Sequence, residues 1–229
     1  MFDFDTDVIA RSWEYLFLTG MAFTLKLTFI AAAGGIVLGT VLAMMRLSSK
    51  KIIALPASLY VNLMRSIPLL LVIFWFYFLV PYIGAWMTGA DEPVQVGALS
   101  SCVITFILFE AAYFCEIMRG GIQAISRGQV AAGYAMGMTY GQTMRHVVLP
   151  QAFRNMLPVL LTQTIVLFQD VSLVYVLSIT DFVGAASKVA QRDGRLVEMY
   201  LFIAVVYFVM CFGLSRLVGV LQKKVSIVR

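Results

Sequence analysis

Four ionisable side chains, Arg65, Glu110, Glu116 and Asp170, lie within apolar runs long enough to cross a bilayer. A charge at the centre of a hydrocarbon layer costs at least about 2.5–3.5 kcal/mol, so each needs a partner, water or a route to an interface. Glu116 has Arg119 three residues on, which a helix sets on the same face, and the two read as a structural ion pair. Arg65 has two readings: a basic anchor at one membrane surface, or a cation that meets Glu116 or a substrate carboxylate. Glu110 lies six positions before Glu116, about 120° away around a helix, so the two carboxylates face different neighbours. That separation argues against a paired acid–base site. Tyr113 shares the face of Glu110, which either lines a pathway or joins a helix–helix hydrogen bond. Thr162, Gln163, Gln169 and Asp170 recur at intervals of seven and form one polar stripe. Such a stripe faces a bundle interior or a water-filled route, or bonds to a neighbouring helix. Lys26 and Arg216 lie near segment ends, from which long side chains reach the interface.

The elements that carry these residues follow from composition. Of 229 residues, 61% are hydrophobic and 13% are charged, against about 25% charged in a soluble domain. Five apolar segments are predicted to span the membrane as helices: 19–45, 57–82, 94–118, 156–179 and 199–222. A hydrophilic stretch, 119–154, separates the third and fourth, with a leading segment 1–18 and a tail 223–229. Arg46, Lys50, Lys51, Arg119, Arg127, Arg145, Arg154, Lys223, Lys224 and Arg229 fall on one side, and Arg11, Lys188, Arg192 and Arg195 on the other. Basic loops stay in the cytoplasm. The amino terminus is therefore expected outside, on the periplasmic side, and the carboxyl terminus in the cytoplasm. The acidic start lacks the basic segment of a secretory signal, so the first apolar segment is expected to remain as a helix.

Several chemistries are disfavoured. Cys102, Cys115 and Cys211 sit in apolar stretches with no CxxC or Cys/His spacing, so no metal site is expected. His146 is the single histidine, in the basic hydrophilic stretch, with no nucleophile–acid set around it. No GxxxxGK[ST] run is present to cradle phosphates. The net charge of +5 is explained by membrane orientation, and no nucleic-acid partner is expected.

The stretch Gln129 to Arg154 reads as a helix, a glycine break and a second helix ended by proline. Ala131, Ala132 and Gly133 give the first helix a small-residue face that another protein could approach. Gly137 can supply a sharp turn, and Pro150 stands where a helix breaks or restarts. This stretch resembles the coupling loop of ABC importer permeases, whose signature is Glu-Ala-Ala, three residues, Gly, nine residues, Ile, one residue, Leu-Pro. Here the triplet falls on Ala131-Ala132-Gly133, the glycine on Gly137, and the end on Val147 and Leu149-Pro150. Ala131 stands where the family usually has glutamate. Arg65-Ser-Ile-Pro-Leu, the run from Ala112 to Gln123, Phe168-Gln-Asp-Val-Ser-Leu and Gln191-Arg-Asp-Gly resemble segments of polar amino-acid permeases, above all those for glutamate and aspartate.

The resemblance covers nearly the whole chain and implies an all-α integral membrane protein with the type I importer permease fold. It implies a non-enzymatic inner-membrane subunit that imports a polar amino acid by alternating access. Glutamate or aspartate is favoured; glutamine or arginine is an alternative, as is an ATP-independent secondary transporter. It assigns Gln129, Ala131, Ala132, Gly133, Gly137, Leu149 and Pro150 to contact with an ATPase. Arg65, Glu110, Tyr113, Gln163, Gln169 and Asp170 become candidates for substrate or pathway. It further implies a cytoplasmic ATPase dimer that holds ATP and magnesium, a periplasmic binding protein, and a second permease subunit, with a heterodimer favoured. No cofactor is expected on this chain itself.

Overall fold

Pro68 divides the second apolar segment. A proline lacks the N–H of a helical turn, and its ring forces the preceding residue into extended backbone. Ile67 accordingly has φ −114° and ψ 136°, and Pro68 has ψ 134°. The expected helix 57–82 is therefore two helices meeting at a bend. The computed structural model describes residues 5–93 and 96–225. The first four residues of the leading segment, the start of the expected third span at 94–95, and 226–229 of the tail lie outside the described residues.

The described chain runs through α1 (Asp7–Arg46), α2 (Lys51–Ser66), α3 (Leu69–Thr88), α4 (Ala98–Gln123), α5 (Arg127–Ala135), α6 (Tyr140–Leu177), α7 (Phe182–Asp193) and α8 (Leu196–Val225). Five of these, α1, α3, α4, α6 and α8, are long and apolar enough to cross a membrane. α1 begins well before residue 19. Val8, Ser12 and Leu16 recur at helical spacing and are buried, while Asp7, Arg11 and Glu14 between them mask the segment in a hydropathy reading.

Helix α6 also starts earlier than expected. Its second turn widens to π geometry over Met144–Val148, and α-helix resumes at Leu149-Pro150. A π turn shifts hydrogen bonding to i→i+5, so the missing N–H of the proline and the clash of its ring are absorbed. Pro150 therefore does not end a helix, and α6 runs unbroken from the hydrophilic stretch into the apolar core. The same device carries α3 past Pro81, where Trp75–Leu79 is π-helical.

At the centre, α4 packs along α1 and is flanked by α2, α3 and α6. Small residues permit the closest approach. A Cβ on Gly39 would stand 2.9 Å from the Ala111 carbonyl oxygen, and one on Gly35 3.0 Å from the Glu110 Cβ. Gly35 and Gly39 form a G-x-x-x-G pair, the close-contact device of membrane helices. A second core joins α7 to α1, α6 and α8 through Phe182, Ala185, Ala186, Val189 and Met199. Asp181 caps α7, accepting from Gly184 N at 2.9 Å and Val183 N at 3.0 Å. The Phe182 amide donates to Thr24 Oγ1 at 3.0 Å, which ties α7 to α1.

Candidate functional site

The bend at Pro68 opens a cavity of about 540 Å³ between the end of α2, the start of α3, α4 and α6. Its size falls within the range of small-molecule sites. Arg65 in the last turn of α2, Tyr113 on α4, and Gln163 and Asp170 on α6 line it, along with Phe109 and Leu173. Four of the six sequence-predicted pathway residues thus meet at one cavity, although they come from three separate helices.

The charges are arranged unequally. The Arg65 side chain is 40% exposed, with one nitrogen 3.5 Å from a Glu116 oxygen. Its guanidinium lies 5.5 Å from the centre of the Tyr113 ring, within reach of a cation–π attraction. Arg65 therefore sits at the rim with donors to spare for the cavity. Asp170 forms no side-chain hydrogen bond or ion pair among the described residues. The cavity so has a cation on its α2 side and an unpartnered carboxylate on its α6 side.

Glu110 does not line the cavity. It is fully buried behind Gln163, whose Nε2 donates to both carboxyl oxygens at 3.1 and 3.4 Å. Gln169 is also outside. The seven-residue stripe is two adjacent rows: Gln163 and Asp170 face the cavity, whereas Thr162 and Gln169 lie on an exposed strip of α6. One step along a helix rotates about 100°, enough to separate the rows.

Glu116 holds more than its expected partner. Arg119 Nε donates to one oxygen at 3.0 Å and Nη2 to the other at 2.8 Å, a bidentate grip. Arg46, at the end of α1, also donates to Glu116. Three guanidinium groups therefore surround one carboxylate. Sequence reasoning misses the role of Arg46 because the pair is 70 residues apart; the available signal is a basic residue at the same membrane surface as Arg119.

The hydrophilic stretch folds as a helical hairpin. α5 ends in a Schellman motif: Gly137, at φ 77°, donates to Tyr134 O at 2.9 Å, and Met138 N donates to Gly133 O at 3.1 Å. Gly133 is buried against Thr143, where an added Cβ would stand 2.8 Å from Cγ2. The glycine in place of the resemblance's second alanine thus accommodates Thr143. Gln129, Ala131 and Ala132 are exposed. Gln129 Oε1 accepts from Gln151 Nε2 at 3.2 Å, which braces α5 against α6. Leu149 and Pro150 are exposed one turn beyond, and Tyr134, Met136, Tyr140 and Phe153 add exposed apolar surface. The outer face of this stretch is thus exposed and partly apolar.

A bundle crossed by five apolar helices, with a polar cavity at a broken helix and a projecting hydrophilic hairpin, defines a membrane permease of the type I ABC importer fold. Comparison with known proteins agrees. The chain belongs to the family of binding-protein-dependent transport system inner membrane components, whose model matches residues 35–227. It is 50% identical over 226 residues to the glutamate/aspartate import permease protein GltK of Escherichia coli O6:H1, covering 99% of this chain and 100% of that protein. It is 34% identical over 211 residues to a probable glutamine ABC transporter permease protein, GlnM, of Bacillus subtilis, covering 92% and 94%. The crystal structure of an amino acid ABC transporter with histidines superposes with a TM-score of 0.86 at 33% identity, covering 98% of this chain and 99% of that one. The chain is thus an inner-membrane permease subunit of an ABC importer.

Proposed function

We propose that this permease imports glutamate and aspartate, driven by ATP hydrolysis in a separate subunit, and that the cavity at Pro68 holds the substrate in transit. The observation that carries this reading is the opposition of Arg65 to the unpartnered Asp170 across one cavity. An acidic amino acid has two carboxylates and one ammonium. Arg65 can take a carboxylate as a charge-assisted pair, and Asp170 with Gln163 can take the ammonium. The second carboxylate is met by the partner permease. The likeness to GltK supports the same substrates.

The coupling follows from the continuity of α6. A cytoplasmic ATPase dimer, which holds ATP and magnesium, docks on α5 through Gln129, Ala131 and Ala132. Leu149 and Pro150 border the dock. Gly133 and Gly137 set the position of α5 from within. Because α6 passes Pro150 without a joint, movement of the dock displaces Gln163 and Asp170 on the same helix. ATP binding opens the cavity to a periplasmic binding protein, and hydrolysis returns it to the cytoplasm. The basic loops face the cytoplasm and the amino terminus faces out. A second, related permease covers the exposed Gln169, since a polar side chain at membrane depth needs a partner, whereas the neighbouring Thr162 hydroxyl is already bonded to Pro158 O at 2.9 Å.

The test is uptake of labelled glutamate into proteoliposomes that hold the permease with its ATPase, second permease and binding protein. Uptake that needs internal ATP and is outcompeted by aspartate is expected. Uptake that proceeds without ATP or the ATPase would sink the reading; ATP hydrolysis without glutamate uptake would remove the substrate assignment.

A further inference from the structure

A carboxylate fully buried at membrane depth is costly unless it is used. Among the described residues, Glu110 has one hydrogen-bond partner, Gln163, whose Nε2 lies against both its oxygens. The packing around it is tight: the Cβ of Glu110 fills the space that a side chain on Gly35 would need.

An amide has two unlike ends. Its nitrogen only donates and its oxygen only accepts, and here both Glu110 oxygens face the nitrogen, so the carboxyl takes the part of acceptor. With Nε2 turned to Glu110, the Gln163 carbonyl oxygen diverges from it by the planar geometry of the amide. No protein donor bonds to that oxygen among the described residues. Gln163 itself lines the cavity beside Asp170. We infer that Glu110 is a positioning residue that fixes the Gln163 amide, so that the α6 wall of the cavity offers only acceptors and selects the ammonium group of an amino acid over an uncharged or anionic group at the same position. Without Glu110 the amide turns freely, and a donor faces the cavity part of the time.

This inference rests on the proposed substrate reading, and its test separates the two. Binding of labelled glutamate to the purified permease–ATPase complex, without the binding protein, is measured alongside binding of glutarate, which has both carboxylates but no ammonium. Glu110→Leu is expected to weaken glutamate binding about tenfold, the scale of one hydrogen bond to a charged group, and to leave glutarate within twofold. Glu110→Gln preserves volume and one acceptor, so it should assemble even where the leucine variant does not; its loss should be smaller and equally confined to glutamate. In a Gln163→Leu background, Glu110→Leu should add no further loss. Equal weakening of both ligands, an undiminished loss in that background, or no loss in either variant would overturn the inference. A wild-type complex that binds neither ligand overturns the substrate reading and the inference with it.

Discussion

Gly133→Ala tests how the docking hairpin is held. The added methyl would stand 2.8 Å from Thr143 Cγ2 and 2.9 Å from Thr143 Oγ1, whereas carbon atoms in contact prefer about 3.5–4.0 Å. Thr143 is buried in the first turn of α6 and cannot swing away, so α5 must lift off α6. Overpacking on this scale costs about 1–3 kcal/mol, or roughly fivefold to a hundredfold in an equilibrium constant. The expected outcome is a matching loss of ATPase subunit retained on the affinity-purified permease. Thr143→Ala should restore it. That change removes both clashing atoms and leaves Thr143 Cβ at 3.4 Å from the new methyl, an ordinary contact distance. Among the described residues the threonine hydroxyl has no hydrogen-bond partner to lose. Full retention in Gly133→Ala, or no rescue by the second change, would refute the clamp between Gly133 and Thr143.

Further outcomes follow from other residues. At Gly137, φ is 77° and no atom of the described residues lies within 4 Å of an added Cβ, so the strain is conformational; Gly137→Ala should weaken ATPase retention several-fold and Gly137→Asn, which tolerates the left-handed region, less. Glu116→Gln leaves Arg46, Arg65 and Arg119 facing one another without a carboxylate. Breaking a buried pair costs about 3–5 kcal/mol, and partial exposure of Glu116 reduces this to roughly 2 kcal/mol, read as a lowered unfolding midpoint of the purified protein. Burial pushes the Asp181 carboxyl up to about 6, above about 3.9 in an unfolded chain. The folded state therefore holds the proton more tightly, and the stability linked to Asp181 is full below about pH 4 and declines as pH rises through about 6. Asp181→Asn should remove that slope from unfolding midpoints taken between about pH 4 and 7.

Much of the fold is legible in the sequence because lipid leaves the backbone few choices. Apolar runs locate the five helices, and Arg65, Tyr113, Gln163 and Asp170 are marked by the cost of polarity at depth. The bend at Ile67-Pro68 is readable from the proline yet is overridden by the unbroken apolar run around it. Pro150 misleads in the opposite direction, since nothing local announces the π turn that carries α6 through it. Asp7, Arg11 and Glu14 hide the first turns of α1 because hydropathy averages over faces. The grip of Arg46 on Glu116 and that of Gln163 on Glu110 join residues far apart in sequence, so helix packing alone decides them. The separation of Gln169 from the cavity is likewise one residue of rotation that a seven-residue repeat does not resolve.

If the cavity at Pro68 carries the substrate, Arg65 is the cation that receives it. The most direct test is ATP-driven uptake of labelled glutamate by the complex carrying Arg65→Gln, with ATP hydrolysis stimulated by the binding protein measured in parallel. Glu116 keeps Arg46 and Arg119 in this variant, so the bundle should hold. Loss of one charge-assisted contact of about 1.5–3 kcal/mol predicts uptake at subsaturating glutamate lowered about tenfold or more, with stimulated hydrolysis retained. Undiminished uptake would contradict a substrate route through this cavity.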